Sequence, residues 1–330
     1  MRRILITNRE KDFASKYLSD MKAERKGNYQ TPLTRLKEFY NHLIGQGEKM
    51  EHYSEYVNNI ITHYDEIISL LPSKFGEYQD KYFDGLDENN MSVGIDYKGC
   101  TKPFFEWVVY CMRYDETRAK KLIQYIHKMG IRTCVYCNAQ YAITFVSDEE
   151  SFATYDLDHV WAKSSYPFLC TSFFNLVPSC PYCNKLKSKN PSDFNLYTED
   201  EKEIDPFEFR LTRASKLKYY LSNQDDDLEI SMVASDKGDQ TNAANHNSLF
   251  HIDQIYSSHK DVVAEIIWKS RIYNESYRLQ LRESFAKIFS GTNVKFDFER
   301  MYKGYYTRPS DIHKRPLTKM LQDIGKQLGM

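Results

Sequence analysis

An α+β fold is predicted: a mainly helical protein with a small strand-rich unit embedded between residues 131 and 210. Three observations carry this expectation. Apolar residues recur at helical spacing through the first 130 residues and again from Leu249. That period gives way at Cys134 to the alternation of a strand. Four of the seven cysteines bracket the change as two Cys-x-x-Cys pairs, Cys134/Cys137 and Cys180/Cys183. The chain therefore divides into an N-terminal helical region (1–130), a central core (131–210) and a C-terminal, mainly helical region (211–330).

In the first region Thr31-Pro32 supplies an N-cap followed by proline at the first helical position, and Leu33, Leu36, Phe39, Tyr40 and Leu43 follow at helical spacing. A second apolar stripe runs Tyr56, Val57, Ile60, Ile61, Tyr64, Ile67, Ile68, Leu71 and stops before Pro72. Pro103 opens a third helical segment through Trp107 and Met112. Asp115 is placed to cap a fourth that ends near Gly130. In the centre, Tyr141, Ile143 and Phe145 alternate as a strand, Ser147 to Ser151 form an acidic turn, and a second extended run reaches Asp158, which predicts a β-hairpin. A short basic helix is expected from about Pro181 to Lys189. Beyond it lie an acidic run at Asp225–Asp227, a polar junction at 235–247, and helical spacing from Leu249 through Ile288 to Gly291.

Length and composition admit an enzyme: 330 residues can bury a sizeable core, and 26 Tyr and 19 Phe make that core unusually aromatic. A formal net charge of −1 excludes global attraction to nucleic acid, so any polyanion site must come from local clusters of Lys and Arg. Such a cluster occurs at 295–330, where eight basic residues stand against four acidic ones with Tyr302, Tyr305 and Tyr306 interleaved. No apolar run is long enough to span a membrane, and the N-terminal apolar run is too short for a secretion signal, so a cytoplasmic location and no membrane partner are expected.

Without a secretion signal, paired Cys-x-x-Cys knuckles favour metal ligation over disulfides. Four thiolates at Cys134, Cys137, Cys180 and Cys183 suit a tetrahedral structural Zn²⁺, whose binding would contribute directly to folding. Cys100, Cys111 and Cys170 read as small buried hydrophobes. Between the knuckles stand Tyr155-Asp156-Leu157-Asp158-His159 and Asn175-Leu176-Val177-Pro178, and the second knuckle continues as Cys183-Asn184-Lys185-Leu186-Lys187.

The order of these residues resembles the HNH endonuclease family, in the subgroup whose ββα-metal core is braced by two cysteine knuckles. That resemblance implies a nuclease in which His159 is the general base, Asp158 and Asn184 hold a catalytic Mg²⁺ or Mn²⁺, and Asn175 holds the His159 loop. The substrate it implies is nucleic acid, DNA favoured. Asn at the third HNH position is a common variant. The chemistry needs these types: a histidine titrating near neutrality to take a proton from water, and hard oxygen donors for a cation that offsets phosphoryl charge. Lys163, Lys185 and Lys187 are candidate phosphate contacts, with Lys189 just beyond. Asp156 is expected to hold the hairpin. Asp158 and His159 would point to opposite faces of a regular strand, so the strand is expected to end or twist there.

A more diffuse similarity, through Cys134-Val-Tyr-Cys-Asn, Tyr141, Tyr166-Pro167, Asp205-Pro206-Phe207, Leu249 to Asp253 and Tyr256, points to bacterial HNH proteins of Septu and retron systems. It implies an ATPase or reverse-transcriptase partner in anti-phage defence. The main rival is a non-catalytic zinc module that binds nucleic acid or protein, which leaves Asp158, His159, Asn175 and Asn184 unexplained. A nucleobase deaminase is excluded because it needs His-x-Glu, and no His-x-Glu occurs.

Overall fold

The computed structural model describes all residues except 25–26, 148–150, 289 and 291–296. Helices dominate, and the strands among the described residues pair into small two-stranded sheets. The chain divides into two compact units, each discontinuous in sequence. An N-terminal unit comprises Arg3–Ile131 with Ala142–Ile204, and a C-terminal unit comprises Met1–Arg2, Arg132–Tyr141 and Asp205–Met330.

In the N-terminal unit the first helix, Asn8–Lys22, is set by a capping box: the Thr7 side chain accepts from the Arg9 amide while Glu10 accepts from the Thr7 amide. Thr31 caps Pro32–Ile44 as its sequence implies. The long apolar stripe from Tyr56 is divided at His63 into Glu51–Thr62 and Tyr64–Ile68, yet both pieces keep one buried face. Asp115 is no cap. Arg113, with φ of 58°, precedes Tyr114–Met129, and Asp115 lies in the first turn, where a carboxylate favours the helix dipole. Gly130 closes that helix at φ 75°, a conformation glycine adopts without steric cost. The aromatic residues do form the core here: Phe83 stacks on Phe168 at 4.1 Å, and the buried Trp107 indole donates to the Ile95 carbonyl at 2.8 Å.

The expected hairpin forms, but its second strand is shorter than the run to Asp158 predicted. Thr144–Val146 pairs with Ser151–Ala153, and of the expected acidic turn residues 148–150 lie outside the described residues. The second extended run breaks after Ala153. Its continuation, Asp156–His159, pairs antiparallel with the distant Leu176–Ser179, Asp158 opposite Val177, and the helix Pro181–Lys187 follows directly. Pairing with a strand twenty residues on buries all of Leu176–Ser179, which a local hairpin would leave without a partner.

The C-terminal unit pairs Phe207–Leu211 with Ile230–Ala234 and packs the helix Thr318–Gln327 over them. Asp323 of that helix accepts from the Phe209 amide, and Gln327 accepts from the Leu211 amide. The helix expected to end at Gly291 runs Glu275–Ile288, and Gly291 itself lies outside the described residues. The basic segment at 295–330, whose first two residues also lie outside, spends much of its charge internally. Lys303 and Lys319 are buried beside Glu299 and Asp323, and Tyr302 and Tyr305 are buried as well. Among the described residues, no helix is long and apolar enough to cross a membrane.

Candidate functional site

The four knuckle cysteines are buried, and their ligand atoms all lie within 4.8 Å of one another. A tetrahedron with Zn–S bonds of about 2.3 Å requires sulfurs roughly 3.8 Å apart, so the cluster is of the right size and softness for one zinc ion. Local geometry explains the convergence. Cys180 is the N-cap of Pro181–Lys187 and Cys183 its third residue, so both project from one end of the helix, with Pro181 at the position that favours proline. At the other knuckle the Asn138 amide returns to the Cys134 carbonyl at 2.9 Å, and the Ala139 amide donates to the Cys137 sulfur at 3.4 Å.

The first knuckle is braced within the C-terminal unit. Asn138, with φ of 51°, donates to Thr133 and to the Ile312 carbonyl, and accepts from the Lys319 amide. Tyr256 donates to the Cys137 carbonyl at 2.8 Å, His246 to that of Tyr136 at 2.8 Å, and Phe250 stacks on Tyr136 at 4.6 Å. The distal segments at Phe250 and Tyr256 thus support the knuckle's backbone, the kind of outer shell that fixes ligand orientation.

In the N-terminal unit the strand Asp156–His159 and the helix Pro181–Lys187 form one wall of an open cleft of about 370 Å³. The cleft brings together Asp156, Asp158, His159, Lys163, Asn184 and Lys189. Asn175, fully buried, does not reach it. Its side chain accepts from the Trp161 amide at 2.8 Å and donates to the Trp161 and Leu169 carbonyls, each at 3.1 Å. Those three bonds tie down the backbone just beyond His159.

The imidazole is buried, and its Nε2 lies 3.0 Å from the Cys170 carbonyl. A carbonyl only accepts, so Nε2 carries the proton and Nδ1 is the basic nitrogen. Burial pushes His159 down to about 3 and the Lys163 charge adds to the effect, against the pull of the Cys170 hydrogen bond. The ring is neutral at physiological pH, but burial makes it a weaker base than the near-neutral histidine the sequence leads one to expect.

Alternate residues of the strand meet residues three apart on the helix. Asn184 donates to Asp156 Oδ2 at 3.0 Å, and Lys187 lies 3.3 Å from Asp158 Oδ2. The first contact orients the Asn184 amide so that its oxygen is the end turned away from Asp156. The second corrects an expectation: Lys187 is no surface phosphate contact but is fully buried, donating to the His159 carbonyl at 2.7 Å besides pairing with Asp158. Its position on the inner face of a seven-residue helix overrides its charge. Lys185 is exposed and lies outside the cleft lining, whereas Lys163 lines it with its ammonium 4.6 Å over the Tyr114 ring. Just past the helix, Ser188 adopts φ 47°, a strained backbone for a non-glycine residue at the cleft edge.

Sequence reasoning missed two cleft residues on the helix Tyr114–Met129. Exposed Arg118 adds a third cation to the lining, and Tyr114 sets its ring 4.7 Å from that of His159 while donating to the Leu157 carbonyl at 3.1 Å. Neither carries a local signal, since both arrive from forty residues upstream by folding. No protein-family model, curated protein or solved structure matches the chain.

Proposed function

We propose that the protein is a divalent-metal-dependent HNH endonuclease that hydrolyses nucleic-acid phosphodiester bonds, with DNA favoured as substrate. The observation that carries this reading is the gathering of Asp158, His159 and Asn184 in one cationic cleft, on a strand and helix anchored by buried cysteines. Asp158 and Asn184 offer a carboxylate and an amide oxygen, hard donors that suit Mg²⁺ or Mn²⁺ better than the thiols next door. When bound, such an ion offsets negative charge on the phosphoryl and leaving oxygens.

The protein's own residues supply the rest. The Cys170 carbonyl holds His159 as the tautomer whose Nδ1 takes the proton of an attacking water, and burial keeps that nitrogen unprotonated beforehand. Arg118, Lys163 and Lys189 line the cleft as partners for the phosphates on either side of the scissile bond. Lys187 neutralises one Asp158 oxygen and fixes the carboxylate's orientation. Zinc in the four-cysteine cluster is structural, with no open position for substrate.

One observation favours the rival reading of a non-catalytic zinc module: an ammonium group already sits beside Asp158. Purified full-length protein incubated with single- and double-stranded DNA and RNA in Mg²⁺ or Mn²⁺ decides between them. Cleavage that EDTA abolishes, and that His159→Ala removes while zinc content stays intact, is the expected result. Cleavage undiminished in the His159→Ala protein overturns the assignment. A role as effector of an anti-phage system with an ATPase or reverse-transcriptase partner belongs to the same proposal and rests on the diffuse resemblance alone. Co-purification with the products of neighbouring genes tests it.

A further inference from the structure

The N-terminal unit carries an exposed aromatic pair whose neighbouring groove shares two lining residues with the cleft. In the hairpin formed by Thr144–Val146 and Ser151–Ala153, Phe145 stands directly opposite Phe152. Their rings stack at 4.6 Å with an interplanar angle of 18°, yet they remain 45 % and 56 % exposed. Large aromatic side chains that contact one another in water rather than entering an aromatic-rich core call for a reason. A cross-strand pair stabilises a hairpin modestly, by about 0.2–1 kcal/mol, and would do so with smaller or more buried residues.

The surroundings indicate what the rings receive. Phe152 lines a shallow groove of about 300 Å³, and two residues of that groove, Arg118 and Leu157, also line the cleft that holds His159. The two depressions therefore adjoin at Arg118 and Leu157. Asp158 is six positions along the chain from Phe152, a reach of at most roughly 20 Å, short enough for one oligonucleotide to touch both. Unpaired bases present the flat faces that aromatic side chains stack on, whereas duplex bases are already stacked on one another.

We infer that the Phe145/Phe152 hairpin is a stacking platform for unpaired bases, which makes single-stranded nucleic acid, or a single-stranded segment, the substrate class fed past Arg118 into the cleft. The assignment rests on the nuclease reading for its purpose but is tested by binding, so the two can fail separately. Anisotropy of labelled oligothymidylate is measured with the full-length protein in EDTA, beside an abasic strand of equal length and a duplex. Wild-type protein is expected to bind oligothymidylate more tightly than either control. Phe145→Ala/Phe152→Ala should weaken oligothymidylate binding roughly ten- to a hundredfold and leave the abasic strand unaffected. Phe145→Leu/Phe152→Leu, which keeps an apolar cross-strand pair and guards against loss of the hairpin, should weaken it as well, and Phe152→Trp should preserve it.

Equal affinity of wild type and both double variants, tighter binding of duplex, or no binding of oligothymidylate overturns the inference. Cleavage in Mg²⁺ is scored apart. Ring-dependent binding without cleavage sustains the platform and removes the nuclease, while cleavage with ring-independent affinity sustains the nuclease and removes the platform.

Discussion

Replacing Lys187 by Met probes the link between fold and site most directly. The two side chains have similar length, so the packing volume is largely kept while the charge and the donor are lost. Lys187 is fully buried and Asp158 only 5 % exposed, so the carboxylate cannot recover water in place of the ammonium 3.3 Å away. Breaking a buried pair by removing one partner costs about 3–5 kcal/mol. The His159 carbonyl also loses its 2.7 Å donor, a further cost of about 1 kcal/mol. Together these come to about 4–6 kcal/mol, comparable with the lower end of ordinary domain stability, about 5–15 kcal/mol. Urea unfolding in EDTA, followed by tryptophan fluorescence, measures the loss. A second prediction is nested in the first: if Asp158 holds the divalent ion, Mg²⁺ restores part of the lost stability of Lys187→Met and does far less for wild type. A loss below about 1 kcal/mol in EDTA would refute the buried ion pair, and equal Mg²⁺ responses would refute the metal role of Asp158.

Other outcomes follow from single features. Asn175→Ala removes three hydrogen bonds at a fully buried position, so the Trp161 amide should lose protection equivalent to about 2–4 kcal/mol, read by hydrogen exchange, together with cleavage activity. Cys183→Ala should lower bound zinc, measured by elemental analysis, and unfold the strand and helix around it, whereas Cys100→Ala, at a position that is exposed and not buried as its sequence suggests, should leave zinc content unchanged. His313 is buried and held down to about 4 from 6.5, first by desolvation, so its folded state resists protonation that the unfolded chain accepts. Stability should therefore fall as pH drops from 6.5 towards 4, and His313→Gln, which keeps a donor for the Arg2 carbonyl, should flatten that slope by up to about 1.4 kcal/mol per pH unit in urea titrations.

What could be read from sequence was what local chemistry dictates. Thr31-Pro32, Gly130 and the two knuckles each act within a few residues, and each stands where its chemistry places it. The Thr7–Glu10 capping box is equally local. Pairing of Asp156–His159 with Leu176–Ser179 was not legible, because alternation marks a strand without naming its partner. Charge misled at Lys187 for a similar reason: a lysine on a short basic helix reads as solvated until a buried carboxylate from another strand is brought to it. Arg118 had no signal at all, as its role depends only on where the helix Tyr114–Met129 lies against the strand.

The long sequence distance between the first knuckle and its braces bears on how the protein is made. The Asn138 side chain waits for the Lys319 amide, 181 residues later. At synthesis rates of about 5–20 residues per second, that is a delay of roughly ten to forty seconds on the ribosome. During that interval Cys134 and Cys137 have emerged without the backbone that seats them. A fragment cut to residues 131–210 would stay in that unfinished state permanently.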